Sequence, residues 1–186
     1  TRPSRILAVT FTNNAAAEMQ ERIRALLGRR HNQRPQISTF HAHCVQIQRR
    51  HNRKLGYPQN FAIYHLCDQQ SLARRVLREV DVPGQRLRPG DLLQMISYWK
   101  AQSVRPQAAA ARASSDREHL GAMAYRRYQR ALKNSGAVDF DDLLLCTEDL
   151  FAKVPDARRD EAARFDHILV DEYQDTNASQ YRIVKA

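Results

Sequence analysis

An α/β fold, a parallel-sheet lobe interrupted by a helical subdomain, is predicted from three features of the 186-residue sequence. Residues 1–56 alternate strand and helix patterns, as expected of an α/β sheet. Residues 57–135 are helical and basic. Three consecutive β-formers, Ile168, Leu169 and Val170, then read as a strand buried on both faces, as in a parallel sheet.

The elements follow in order. Ile6 to Thr12 reads as a strand. The helix behind it carries Met19, Ile23, Leu26 and Leu27 on one apolar stripe, with Asn13 or Asn14 as its cap and Gly28 as its stop. A linker with Asn32 and Pro35 leads to a short strand, Ile37 to Phe40. A second helix from His41 places Phe40, Cys44 and Ile47 on one face. From about Tyr57 the pattern changes. Asp68 starts a helix with Leu72, Val76 and Val80 inward, stopped by Pro83-Gly84. Asp91 to Lys100 forms another, with Leu92, Ile96 and Trp99 at helical spacing. Ala108 to Ala113 reads as a helix-compatible linker. A third helix runs from Ser115 to Asn134, with Leu120, Ala124 and Tyr128 on one face. No β-rich run lies between Val82 and Ala137, so the insertion is expected to be all-helical. Gly136 then returns the chain to the sheet through a helix with Leu143, Thr147, Leu150 and Phe151 inward.

Charge is distributed unevenly. The net charge is +10. Residues 136–186 hold 12 Asp/Glu against 6 Lys/Arg, which leaves 24 basic and 8 acidic groups in residues 1–135. A basic body of this kind suits phosphate contacts with a nucleic acid, and equally a solvated basic surface. No run of about 18 apolar residues exists to span a membrane, and nothing at the start resembles a signal peptide. Cys44, Cys67 and Cys146 are scattered, so free thiols in a reducing, cytoplasmic setting are expected.

The chemistry concentrates in Asp171-Glu172, directly after the Ile168–Val170 strand. Ligands of open α/β sheets collect beyond the carboxyl ends of strands. Two acids there suit nucleotide hydrolysis, one holding Mg²⁺ and the other orienting water. Two further strand-to-helix junctions carry polar and aromatic groups: Thr10, Phe11, Thr12 and Asn13 at one, Thr39, Phe40 and His41 at the other. Hydroxyls, an amide and free helix N–H groups there can meet phosphates, and Phe11 can stack on a base. Two metal readings fail. His41, His43 and Cys44 lack a fourth zinc ligand at suitable spacing. Asp139, Asp141 and Asp142 lack the Gly and Glu of a calcium loop and are read as helix-capping acids.

Asp171 to Gln180, DEYQDTNASQ, resembles the Walker B motif of superfamily 1A DNA helicases, the UvrD/Rep/PcrA group. Thr10 to Ala16 resembles that family's motif Ia, Ser38 to Ala42 its next DNA-facing motif, and Val138 to Leu144 a fourth segment. Asn14 departs from the family, where Lys is usual, and Arg22 or Arg24 could supply the missing contact. The resemblance implies a RecA-like (P-loop NTPase) lobe made of residues 1–56 and 136–186, with residues 57–135 inserted. It implies ATP and Mg²⁺ as cofactors, with Asp171 binding Mg²⁺, Glu172 activating water and Gln174 sensing the nucleotide. The partners it implies are single-stranded DNA, single/double-strand junctions and repair or replication proteins. Movement would run 3′ to 5′. None of the 6 glycines lies in a G-x-x-x-x-G-K-[ST] loop. The chain is therefore expected to be an internal piece of a longer protein, and inactive as an ATPase by itself. The alternative is a non-catalytic DNA-binding or protein-interaction module derived from such a lobe.

Overall fold

The computed structural model describes residues 2–28, 33–80 and 87–186. Asn32 and the Pro83-Gly84 helix stop lie outside the described residues. In chain order these form β1 (Ile6–Thr10), α1 (Asn13–Leu27), β2 (Gln36–Thr39), α2 (Phe40–His51), β3 (Ala62–Tyr64), α3 (Leu66–Glu79), α4 (Pro89–Ala101), α5 (Pro106–Arg112), α6 (Asp116–Asn134), β4 (Ala137–Asp139), α7 (Asp142–Lys153), α8 (Pro155–Ala162), β5 (His167–Val170) and α9 (Ala178–Lys185). The fold is mixed α/β with parallel sheets and many helices.

The main sheet has the order β2-β1-β5, all parallel. Its register pairs Thr10 with Thr39 and Val9 with Val170, so all three strands end at one edge. β1 is central, and Leu7 and Val9 enter a core with Phe40, Cys44, Ile47 and Leu150. β5 departs from expectation. Ile168 is 43% and Leu169 59% exposed, because β5 lies at the sheet's edge and pairs only with β1 among the described residues. The apolar stripe of α1 is likewise only partly used: Leu26 is exposed and Ala16 is the helix's buried residue.

Helix starts follow local chemistry. Thr12, not Asn13 or Asn14, caps α1: its backbone is extended and its hydroxyl accepts from Ala15 N at 3.1 Å. Asn13 is already the first helical residue. Thr39 caps α2 in the same way, accepting from Ala42 N at 3.2 Å. α3 begins at Leu66, with Asp68 in its first turn accepting from the His65 N–H at 3.1 Å. The Ala108–Ala113 stretch lies mostly in a true helix, α5, opened by Pro106 and carried by alanines. α8, which periodicity does not reveal, opens on Pro155.

Residues 57–135, expected to be an all-helical insertion, are not all-helical. β3 pairs in parallel with β4, Ile63 against Val138. A three-residue strand is too short to show alternation, and its partner is remote in sequence. α3, α4 and α6 form a second core of Leu72, Val76, Leu92, Ile96, Trp99 and Tyr125. Tyr57 and Phe61 belong instead to the sheet's core.

Between the two cores lies a buried charge cluster. Lys100 Nζ on α4 is 2.7 Å from Asp139 Oδ2, which accepts its hydrogen bond, and 2.7 Å from Asp142 Oδ1 as an ion contact. Tyr128 donates to Asp139 at 3.2 Å and Gln129 to Asp142 at 2.8 Å. The faces of Tyr125 and Tyr128 flank the ammonium at 5.8 and 5.7 Å. Burial opposes the charge on Lys100, but the two carboxylates outweigh it and hold the ammonium firmly protonated. Asp142 is pushed up to about 6 by burial and by Asp139. Of the acids read as caps, Asp139 does meet a free helix N–H, its Oδ1 accepting from Asp142 N at 2.9 Å, whereas Asp141, at the N-cap position itself, makes no side-chain cap bond.

Two predictions come from these buried groups. Lys100→Met leaves two carboxylates buried without their cation and should cost roughly 3–5 kcal/mol in urea unfolding. Adding Asp139→Asn and Asp142→Asn should return part of that loss. The second concerns His43, which burial brings down to about 4, with Glu161 opposing and Arg50 and Arg164 assisting. Its Nδ1 lies 2.8 Å from the Gln36 amide nitrogen, a donor, which fits a neutral ring. Because the folded pKa is depressed, His43 contributes stability above the unfolded value of about 6.5 and loses it as pH falls toward 4. Relative to His43→Gln, the parent should lose at most about 1.4 kcal/mol per pH unit across that window. The His43 ring signal in NMR should titrate near pH 4.

Candidate functional site

Three strand ends meet at one edge of the sheet, and each continues into a polar turn. After β1 come Phe11, Thr12 and Asn13; after β2 come Phe40 and His41; after β5 come Asp171 and Glu172. In-register parallel pairing is what gathers them. The crevice beyond the carboxyl ends of such strands is the usual ligand position of open α/β sheets.

Asp171 is partly buried and doubly fixed. Its N–H donates to Val9 O at 2.9 Å, continuing the β1–β5 ladder beyond Val170. Its Oδ2 accepts from the Thr10 hydroxyl at 3.2 Å. Glu172 is exposed and holds φ 48° and ψ 46°, a left-handed conformation that L side chains adopt at a cost. Ser103 is the other such non-glycine residue among the described residues. The Gln174 side-chain amide donates to the Glu172 carboxylate across a short 3₁₀ turn, Tyr173–Asp175. Asn177 then caps α9 in a reciprocal box with Gln180. The motif is thus a strand end, a carboxylate carried on a left-handed backbone, an amide bonded to it and a capped helix.

The aromatic residues take different positions. Phe40 is 2% exposed and belongs to the core, where Phe11 packs against it with ring centroids 5.6 Å apart. Thr10 is also 2% exposed. Thr12 and Asn13 face solvent, Thr39 is buried at its cap, and His41 is half-buried. Burial lowers the His41 pKa. Its ring stacks on Phe140, with centroids 3.9 Å apart and planes 23° apart. Phe140 is 53% exposed. The acids around Phe140 read from the sequence as caps, and their pattern alone assigns this ring no role. A large aromatic placed between acids at the end of a strand was the available signal.

Beside this stack an open cavity of about 390 Å³ runs between the starts of α3 and α4 and the β4–α7 turn, lined by Leu66, Gln69, Gln94, Ser97 and Phe140. Among the described residues no trio of His, Cys, Asp or Glu is arranged to hold a metal. Mg²⁺ does not require one, since it commonly takes one or two carboxylates together with waters and phosphates. Asp171 offers that kind of oxygen donor: one oxygen is tied to Thr10, and the other has no partner among the described residues.

The parallel sheet, with a carboxylate pair at its carboxyl edge and two polar turns beside it, belongs to a mixed α/β arrangement consistent with a helicase N-terminal domain. The chain belongs to the UvrD/REP helicase N-terminal domain family, whose model matches residues 1–186. It is 42% identical over 182 residues to the ATP-dependent DNA helicase PcrA of Leuconostoc citreum, a match covering 98% of this chain and 24% of the relative. Identity to the PcrA helicases of Staphylococcus epidermidis and Staphylococcus aureus is 40%, over 98% of this chain and 25% of each relative. The chain thus spans about a quarter of the length of these curated relatives.

Proposed function

We propose that this chain is part of the motor of an ATP-dependent DNA helicase, one that moves 3′ to 5′ on single-stranded DNA and opens duplex in repair or replication restart. The observation that carries the proposal is the gathering of Asp171-Glu172 and two polar strand-to-helix turns at one edge of a parallel sheet. Family membership and the helicase names of the relatives support it. On this reading residues 1–56 and 136–186 form a RecA-like lobe, and residues 57–135 a mainly helical subdomain. Single/double-strand junctions and repair or replication proteins are the partners in view, and the cytoplasm the setting.

Each residue has a defined task. Asp171 holds Mg²⁺ through its unpaired oxygen. Glu172 orients the attacking water and takes its proton at a carboxylate oxygen. Gln174 braces Glu172 and senses the nucleotide. When bound, ATP would supply the phosphoryl group and Mg²⁺ would neutralise the charge that develops on its oxygens. The 186 residues contain no phosphate-binding loop, so by themselves they are not expected to turn over ATP.

DNA meets the same face. Thr12, Asn13, Thr39 and His41 lie at the helix starts that meet phosphates, with Phe11 and the Phe140–His41 stack offering aromatic faces to bases. Thr10 and Phe40 act from behind this surface, one at Asp171 and the other in the core. The basic excess of residues 1–135 supplies longer-range attraction.

Two predictions test the proposal. In the full-length protein, Glu172→Gln should abolish turnover while ATP binding is retained, whereas Asp171→Ala should weaken Mg²⁺-ATP binding itself. Normal hydrolysis by both variants would refute the assignment and favour a non-catalytic module. The other test is binding of a fluorescent single strand across a salt series. Affinity should fall steeply with salt. Phe11→Ala should lose about 1–3 kcal/mol with little dependence on base sequence, while Arg126→Ala should mainly reduce the salt slope. Salt-independent binding would contradict the placement.

A further inference from the structure

We infer that Thr10 is a positioning residue for the Asp171 carboxylate, setting which of its oxygens is presented to a divalent cation. The inference rests on the proposed reading of Asp171 as a metal ligand. Sequence alone places Thr10 among DNA-facing residues, yet its geometry points the other way. Thr10 is 2% exposed, and it is the last residue of β1, where pairing with Thr39 of β2 holds its backbone. Its hydroxyl donates to Asp171 Oδ2 at 3.2 Å. The Asp171 backbone is tied to the same strand one residue earlier, through N–H to Val9 O at 2.9 Å. Asp171 is thereby fixed at two points, backbone and side chain, with Oδ2 occupied and Oδ1 without a partner among the described residues.

Such a contact acts on orientation more than on strength, since 3.2 Å is long for a hydroxyl on a carboxylate. Groups that hold a metal ligand from behind commonly change metal affinity when removed, although they never touch the metal. β1 has no other hydroxyl to replace that of Thr10, because Ile6, Leu7, Ala8 and Val9 precede it. The same strand end runs through Phe11 to the Thr12 cap, so Thr10 is also where the DNA-facing turn and the metal-facing carboxylate share a backbone.

The test uses the full-length protein and two measurements: Mg²⁺ titration of the binding of a fluorescent ATP analogue, and single-stranded DNA affinity without nucleotide. Thr10→Val should raise the Mg²⁺ requirement on the order of tenfold and leave DNA affinity unchanged, and Thr10→Ser should restore the parent value. Should Thr10→Val fold poorly, Thr10→Ala makes the same test without a branched side chain. An unchanged Mg²⁺ requirement in the hydroxyl-free variants overturns the inference. So does a fall in DNA affinity of equal size, which would return Thr10 to the DNA face. Asp171→Asn separates the two levels of argument. If it leaves Mg²⁺ dependence intact, the metal reading of the site fails; if it is defective while Thr10→Val is silent, only the Thr10 inference fails.

Discussion

Lys100 carries a charge inside the protein between two carboxylates, and the arrangement of the helical and sheet regions depends on it. An isolated buried ammonium would be prohibitive, and so would two buried carboxylates alone. Together with the Tyr128 hydroxyl and the Gln129 amide N–H they offset one another's charge and burial at 2.7–3.2 Å, although Asp142 Oδ1 meets the ammonium only as an ion contact. The partners come from α4, α6, β4 and α7, so the cluster defines how these elements meet. Apolar contacts tolerate small rotations; a buried ion cluster with several directional bonds does not. Its particular product is the β4–α7 turn. Asp139 and Asp142 bracket Phe140 in sequence, and fixing both acids presents the aromatic ring outward against His41.

A second polar junction works nearer the surface. Glu148 on α7 accepts from Ser103 at 2.7 Å and from Ser179 at 2.9 Å, with Arg105 and Arg182 each 3.5 Å away. It links the α4–α5 connection to α9, the helix that follows the carboxylate motif. Ser103 holds φ 58° there, a conformation maintained by these contacts. Lone exposed ion pairs contribute little, but a network with a mostly buried carboxylate at its centre restricts geometry. Glu161 makes a third junction, where Arg50, His51 and Arg164 converge and, against the cost of burial, hold its carboxyl at about 2. Helices α2 and α8 are joined there.

Much of this was legible in the sequence, and the limits have physical causes. Helices with sustained apolar spacing, such as α4 through Leu92, Ile96 and Trp99, were readable because 3.6-residue periodicity survives over several turns. β3 was not, being three residues long with a remote partner. Lys100 occupies the position after Leu92 and Ile96 on the same stripe, so a charge at a core position was visible, but its counter-ions lie in another part of the chain. Conversely, Ile168–Val170 looked fully buried because composition reports what a strand could bury and not where it sits. At the edge of the sheet β5 leaves Ile168 and Leu169 exposed. The motifs were legible, while the direction each of their side chains takes was not. Thr10 and Phe40 turn inward for reasons that only the strand's position in the sheet decides.

Those directions follow from how a strand passes into a helix. Successive side chains of a strand point to opposite faces, and the turn into a helix adds a cap whose side chain folds back on the backbone. After β1 the result is Thr10 toward Asp171, Phe11 against the Phe40 ring at the core's margin, and Thr12 on the Ala15 N–H. After β2 it is Thr39 on the Ala42 N–H, Phe40 in the core and His41 against Phe140. Contiguous residues therefore serve the carboxylate, the core, the helix start and the outer surface in turn. A substitution at one of these positions alters one task directly. A shift of register would exchange all of them at once, which is why the parallel pairing of β1 with β2 and β5 constrains the site more tightly than any single side chain in it.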